Sequence, residues 1–167
     1  MPEKRNSMLE NRESLVRISN DSWIAECKTL AHGIRKRVLS HAVMHGGYLS
    51  QACSAAEALA YLYGKGMNLG PSKGPLLPPP FSGSPSSKNP KQRSGMLYNG
   101  VRHPDHDRFF LSPTHYALTL YAALIESGRL GEQGLEHFNA DGSTVEMIGG
   151  EHSPGHETNG GSLGQTV

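Results

Sequence analysis

Cysteine is scarce: Cys27 and Cys53 are the only two in 167 residues. They give no disulfide framework and no zinc-ligand spacing, and they suit a reducing cytoplasm. Aromatic residues are few as well, at 7%, so the core must be lean. Neither sign of charge dominates, with a formal net charge of +1, which gives no ground for general attraction to nucleic acid or a membrane surface. No apolar run approaches the roughly 18 residues that a membrane helix needs. The opening MPEKRNSMLENRES lacks the apolar centre of a signal peptide. Together these absences predict a cytoplasmic protein with one domain or part of one.

Glycine and proline are abundant instead, at 20 and 11 residues, and they partition the chain. Residues 1–22 read as a polar tail. From Trp23 a helical stripe begins, through Cys27, Leu30, Ala31, Ile34, Val38, Ala42 and Val43. Asp21 or Ser22 is placed to cap it, and Gly46 with Gly47 to end it. Ser54 with Glu57 fits a capping box for a second helix, buried through Leu59, Leu62 and Tyr63 and stopped by Gly64 and Gly66. Residues 67–106 hold most of the prolines and form a loop, either a linker or a functional insertion. Residues 108–111 (RFFL) suit a short buried strand. Ser112 and Pro113 then open a helix carrying Ala117, Leu118, Tyr121, Leu124 and Ile125, closed by Gly128. A shorter helix is expected around 131–139, and only turns after it.

Two places have chemical potential. His115 falls in the first turn of a helix, where free amides and the positive end of the dipole suit a phosphate oxygen. The closing GGSLG at 160–164 can bring main-chain amides to an anion. The histidine pairs at 41 and 45, 103 and 106, and 152 and 156 read as ordinary polar surface, because the first lacks the glutamate of H-E-x-x-H and the others lie on proline-containing turns.

These signals occur in one order: GYLSQACSAAEALAYLY, then DRFFLSPTHYALTLYAALIESG, then PGHETNGGSLGQ. The order resembles the N-terminal, diphosphate-binding domain of the transketolase family, with its GHIGGSLSAAE…LY, DRFxLSxGHxxxxLYxxL and PGVExxTGSLGQG motifs. The likeness covers about residues 27–165, with 67–106 as an insertion. It implies an α/β, Rossmann-like domain with a parallel sheet, incomplete here, mostly helical with one or two short strands. It implies thiamine diphosphate as cofactor, with His115, Gly161, Ser162 and Leu163 lining it. Tyr48 stands where the family has a substrate histidine, and His152 is nearest to a second one, so both are expected on the donor side. The family's Mg²⁺ ligands, in a G-D-G…N motif, and its activating glutamate have no counterpart in this sequence. The resemblance therefore implies no catalytic or metal-binding residue here. It implies a pyrimidine-binding partner half, a dimer or heterotetramer when complete, and no activity for this chain alone. Two alternatives stay open: a 2-oxoacid dehydrogenase E1-like subunit, which shares the cofactor, and a non-catalytic interaction module.

Overall fold

The computed structural model describes residues 3–83, 86–89 and 95–161, and only the backbone of residues 3–21. One long helix, α1, spans Glu3–His45. It starts well before the expected caps at Asp21 and Ser22, because nothing in the polar N-terminal stretch breaks a helix: it holds no glycine, and its one proline is Pro2. The buried face of α1 is Ala31, Ile34, Val38 and His41, at steps of three and four. Val43 falls off that stripe and is exposed. Gly46 and Gly47 end the helix with φ of +76° and +127°, backbone that glycine adopts without strain.

Two short helices follow, α2 at Leu49–Ser54 and α3 at Ala56–Tyr61. The capping box does not form. The Ser54 hydroxyl instead donates back to the Gln51 carbonyl at 2.8 Å, closing α2, and α3 has no side-chain cap. The Arg35 guanidinium ties α1 to α3 through Glu57. A π-helical turn, Leu62–Gly66, ends this part.

The centre of the protein is α4, Ala117–Glu126, in which every residue from Ala117 to Ile125 is buried. A helix apolar on all sides must be wrapped on all sides. Its wrapping comes from α1, from α3 and from the loops on either side of it. It ends in a Schellman motif: Arg129 N–H donates to Leu124 O at 2.7 Å and Gly128 N–H to Ile125 O at 2.9 Å, with Gly128 at φ +71°.

Among the described residues there is no β-strand, only an isolated antiparallel bridge between Ser86 and Asn89. The mostly helical expectation holds, and the one or two short strands are absent there. Residues 108–111 alternate, with Phe109 buried and Phe110 exposed, yet no neighbouring strand pairs with them. The Phe109 amide is satisfied by the Glu157 carboxylate at 3.1 Å. The helix expected around 131–139 is a single 3-10 turn, Glu132–Leu135, followed by turns that still bury Leu135 and Phe138.

The proline-rich segment is tied to this body. Arg129 donates to the carbonyls of Gly70 (3.0 Å) and Tyr98 (2.9 Å). A 3-10 turn, Gly95–Asn99, lies inside the segment and buries Tyr98 and Asn99.

Candidate functional site

The stretch from Ser112 to Tyr116 is not itself α-helical, although its last residue directly precedes α4. Pro113 restrains Ser112 to extended backbone, so the first turn is a short 3-10 turn, Thr114–Tyr116, without a side-chain cap. The Tyr116 amide donates to Pro113 O at 3.0 Å. Ser112 is therefore no helix cap. Its hydroxyl oxygen is buried with no partner among the described residues, and its carbonyl accepts a bond from the far end of the chain.

That donor is Gly161, whose amide lies 2.6 Å from Ser112 O. Gly161 has φ +93°. Gly160 is packed so closely that a Cβ there would stand 2.5 Å from Leu111 O, Ser112 O and Thr114 Cγ2. The two elements singled out in the sequence thus meet directly. The Gly161 amide is used within the chain, in the bond to Ser112. Ser162 and Leu163 lie outside the described residues.

His115 is half-buried at this junction. Its ring meets the edge of Tyr48, with centroids 5.9 Å apart and planes at 70°, and lies 4.8 Å from the ring of Tyr116. The approach of Tyr48 follows from the end of α1, since a Cβ on Gly47 would stand 3.0 Å from Leu118 Cδ2. The glycine lets the loop rest on the start of α4. His152 is placed differently. Its Nε2 stands 3.0 Å from Glu146 Oε2, and its ring packs 4.5 Å from Phe81. It shares with Gly160 only the terminal loop, which is closed by the Glu151 amide donating to Asn159 Oδ1 at 2.9 Å.

Behind this surface lies a buried polar network that the sequence reading did not find. The Glu157 carboxylate accepts from Arg108 Nε (2.7 Å), Asn99 Nδ2 (2.9 Å) and the Phe109 amide (3.1 Å). The same Asn99 amide nitrogen donates to Gly155 O at 3.0 Å, while its oxygen accepts the Tyr63 hydroxyl at 2.9 Å. Burial pushes the Tyr63 hydroxyl far above its ordinary pKa, so it acts as a neutral donor. The network fastens the terminal loop to the segment that leads into Ser112. A carboxylate two residues before an NGG turn has no periodic signal, and only its three donors, Arg108, Asn99 and the Phe109 amide, explain it.

Two histidines taken as polar surface are core residues. His156 is fully buried against Tyr121, and burial lowers its pKa to about 4. His41 is buried between the rings of His45 and Phe138. Burial, with a smaller push from His45, lowers its pKa as well.

No group of three or more His, Cys, Asp or Glu among the described residues is arranged to hold a metal ion. A cavity of about 750 Å³ opens between α1 and the 132–136 turn, lined by Lys36, Arg37, Glu126 and Glu136 among others and not by His115 or Tyr48. Among the described residues, no helix is long and apolar enough to cross a membrane.

No family model matches this chain. It is similar to a protein of Sinorhizobium fredii (strain NBRC 101917 / NGR234) described as an uncharacterized transketolase family protein, y4mO, with 35% identity over 136 residues. The matched region is 80% of this chain and 39% of that protein, so the chain spans about two fifths of the length of the curated relative it matches. A transketolase-family relationship rests on this similarity.

Proposed function

We propose that this chain forms the diphosphate-binding side of a thiamine-diphosphate-dependent, transketolase-like enzyme that transfers a two-carbon ketol or acyl unit to an aldehyde. One observation carries the reading: the His115 turn and the Gly160 bend are in contact, joined by the 2.6 Å bond from Gly161 to Ser112. The residues present fit a phosphorylated ligand. The Ser112 hydroxyl is a buried polar group without a partner among the described residues, and an orphan of this kind is costly unless a ligand, water or neighbouring group meets it. The absence of a side chain at Gly160 keeps the bend against the main chain of the turn.

Bound thiamine diphosphate supplies the carbon nucleophile and accepts the electron pair when a carbon–carbon bond beside a carbonyl breaks. In this reading His115 donates a hydrogen bond to a diphosphate oxygen, at the positive end of the turn that leads into α4. In this reading Tyr48, whose ring meets that of His115, orients the substrate through a hydrogen bond from its hydroxyl. Gly161 holds the bend shut, and the Glu157–Arg108 pair anchors the loop behind it. His152, with its contacts to Glu146 and Phe81, is assigned to the donor side with Tyr48. A diphosphate carries several negative charges, so one imidazole and a few amides hold it weakly. Mg²⁺, with ligands that this sequence does not carry, and a pyrimidine-binding partner half complete the site in this proposal, in a cytoplasmic dimer or heterotetramer.

Calorimetric titration of the chain with thiamine diphosphate and Mg²⁺, in the presence and absence of a pyrimidine-binding transketolase half, tests this, with unphosphorylated thiamine as control. The reading expects saturable heat for the diphosphate and none for thiamine. Equal heats, or none for either, would contradict it.

A further inference from the structure

The last described loop, residues 149–161, holds no helix or strand, yet residues 153–157 within it are buried. Its anchor on α4 is His156, fully buried against the Tyr121 ring with centroids 5.9 Å apart. Nδ1 stands 3.3 Å from Pro154 O, and a carbonyl only accepts, so Nδ1 carries the proton of the neutral ring. The other nitrogen, Nε2, is buried without a partner among the described residues. Gly149 lies over that edge of the ring, since a Cβ on it would stand 2.2 Å from both Cε1 and Nε2. A proton added at Nε2 therefore makes a buried N–H without an acceptor, on a ring that now carries charge, and both cost free energy.

The charges around the ring are already matched. Tyr121, from α4, stays neutral because burial raises its hydroxyl far above the ordinary pKa. The Glu157 carboxylate is taken up by Arg108. Glu146 faces His152, whose own charge opposes a charge on His156. The 95–99 turn, which meets the loop at Gly95, brings no charged side chain. The ring gains solvent only when the loop that carries it moves away. That loop is fastened through Gly95, Asn99, Arg108, the Phe109 amide and Ser112. When it opens, α4 keeps its cover from α1 and α3. Irregular segments held in this way open at lower free energy than packed helices.

We propose that His156 is an acid-operated latch: its protonation frees the 149–161 loop from α4 and breaks the Gly161–Ser112 contact, while α1, α3 and α4 stay folded. The inference does not depend on the cofactor reading. Protonation of His152 acts the other way, because it tightens the pair with Glu146. The test follows amide hydrogen exchange of the whole chain from about pH 7 to about pH 4.5, corrected for the intrinsic exchange rate. Protection of the amides from Gly155 to Gly161 is expected to fall about fiftyfold, as a pKa of about 4 in the closed loop and about 6.5 in the open one require. The amides from Leu120 to Glu126 should stay about tenfold or more better protected at each pH. In His156→Leu the loop protection should hardly change with pH. If that variant unfolds, His156→Gln, which has no titrating group, takes its place. In the wild-type protein the His156 Hε1 resonance should move over the same pH range as the loop amides. Loop protection that ignores pH, a fall that the variant retains, or equal protection of loop and α4 would each overturn the proposal.

Discussion

The amide of Gly161 and the carbonyl of Ser112 meet at 2.6 Å, and through them the last described residue closes on the turn that presents His115. Gly160 is what permits the approach, because a Cβ there would enter the space of two main-chain oxygens at 2.5 Å. Backbone cannot yield as a flexible side chain does. Gly160→Ala is expected to lower stability by about 1–3 kcal/mol, measured by urea unfolding, and to remove thiamine diphosphate binding. An unchanged midpoint with retained binding would show that the closure is not needed.

The Glu157–Arg108 pair makes a sharper demand. The Glu157 side chain is 2% exposed and that of Arg108 20%, so removing one charge strands the other in a poorly solvated place. Glu157→Gln keeps the shape but presents an NH₂ where the carboxylate accepts. A loss of about 3 kcal/mol is expected, visible as a lowered unfolding midpoint. A loss under about 1 kcal/mol would mean that water already screens the pair.

The buried His156 predicts a pH dependence with a definite sign. Its pKa in the folded protein is about 4, whereas an unfolded histidine titrates near 6.5. Between these values the unfolded chain binds a proton that the folded one refuses, so stability falls as pH drops from about 6.5 toward 4 and levels below that. The size is on the order of 3 kcal/mol, and the lowered His41 acts in the same direction. Denaturation at a series of pH values, repeated with His156→Leu, checks it. The variant should flatten much of the slope, and a parallel slope in both proteins would remove His156 as the cause.

Tyr48 and His115 should report on each other. Loss of the ring in Tyr48→Ala is expected to move the His115 Hε1 resonance, while Tyr48→Phe keeps the edge contact and leaves it nearly in place. Both variants should fold within about 0.5 kcal/mol of wild type, since Tyr48 is 41% exposed. Equal shifts in the two variants would mean that the hydroxyl, not the ring, sets the environment.

Local chemistry was legible in the sequence, and tertiary chemistry much less so. Gly46 and Gly128 announced helix ends because positive φ is a local need that few other residues meet. One buried face of α4 was visible from its apolar stripe, but its burial on every side, through Thr119, Leu120, Ala122 and Ala123, was not. The Ser54 box failed because the hydroxyl found a nearer carbonyl, a choice that spacing does not decide. Residues 108–111 looked like a strand because a short apolar run is ambiguous until its partners are known, and the partner here is a carboxylate far along the chain. In the site, the helix-start position of His115 could be read directly. The neighbourhood of Tyr48 followed only from the register of a resembling motif, and the Glu157 network from neither. His41 and His156 look like surface residues in sequence, because burial of a neutral imidazole leaves no pattern.

Phosphorus NMR of thiamine diphosphate, titrated with the chain in Mg²⁺, tests most directly whether the junction of the His115 turn and the Gly160 bend receives phosphate. Selective broadening or shifting of the two phosphorus lines is expected with the wild-type protein, weakened about tenfold in apparent affinity by His115→Ala. Lines that stay sharp and unmoved at saturating protein, or that respond alike to both proteins, would contradict the account.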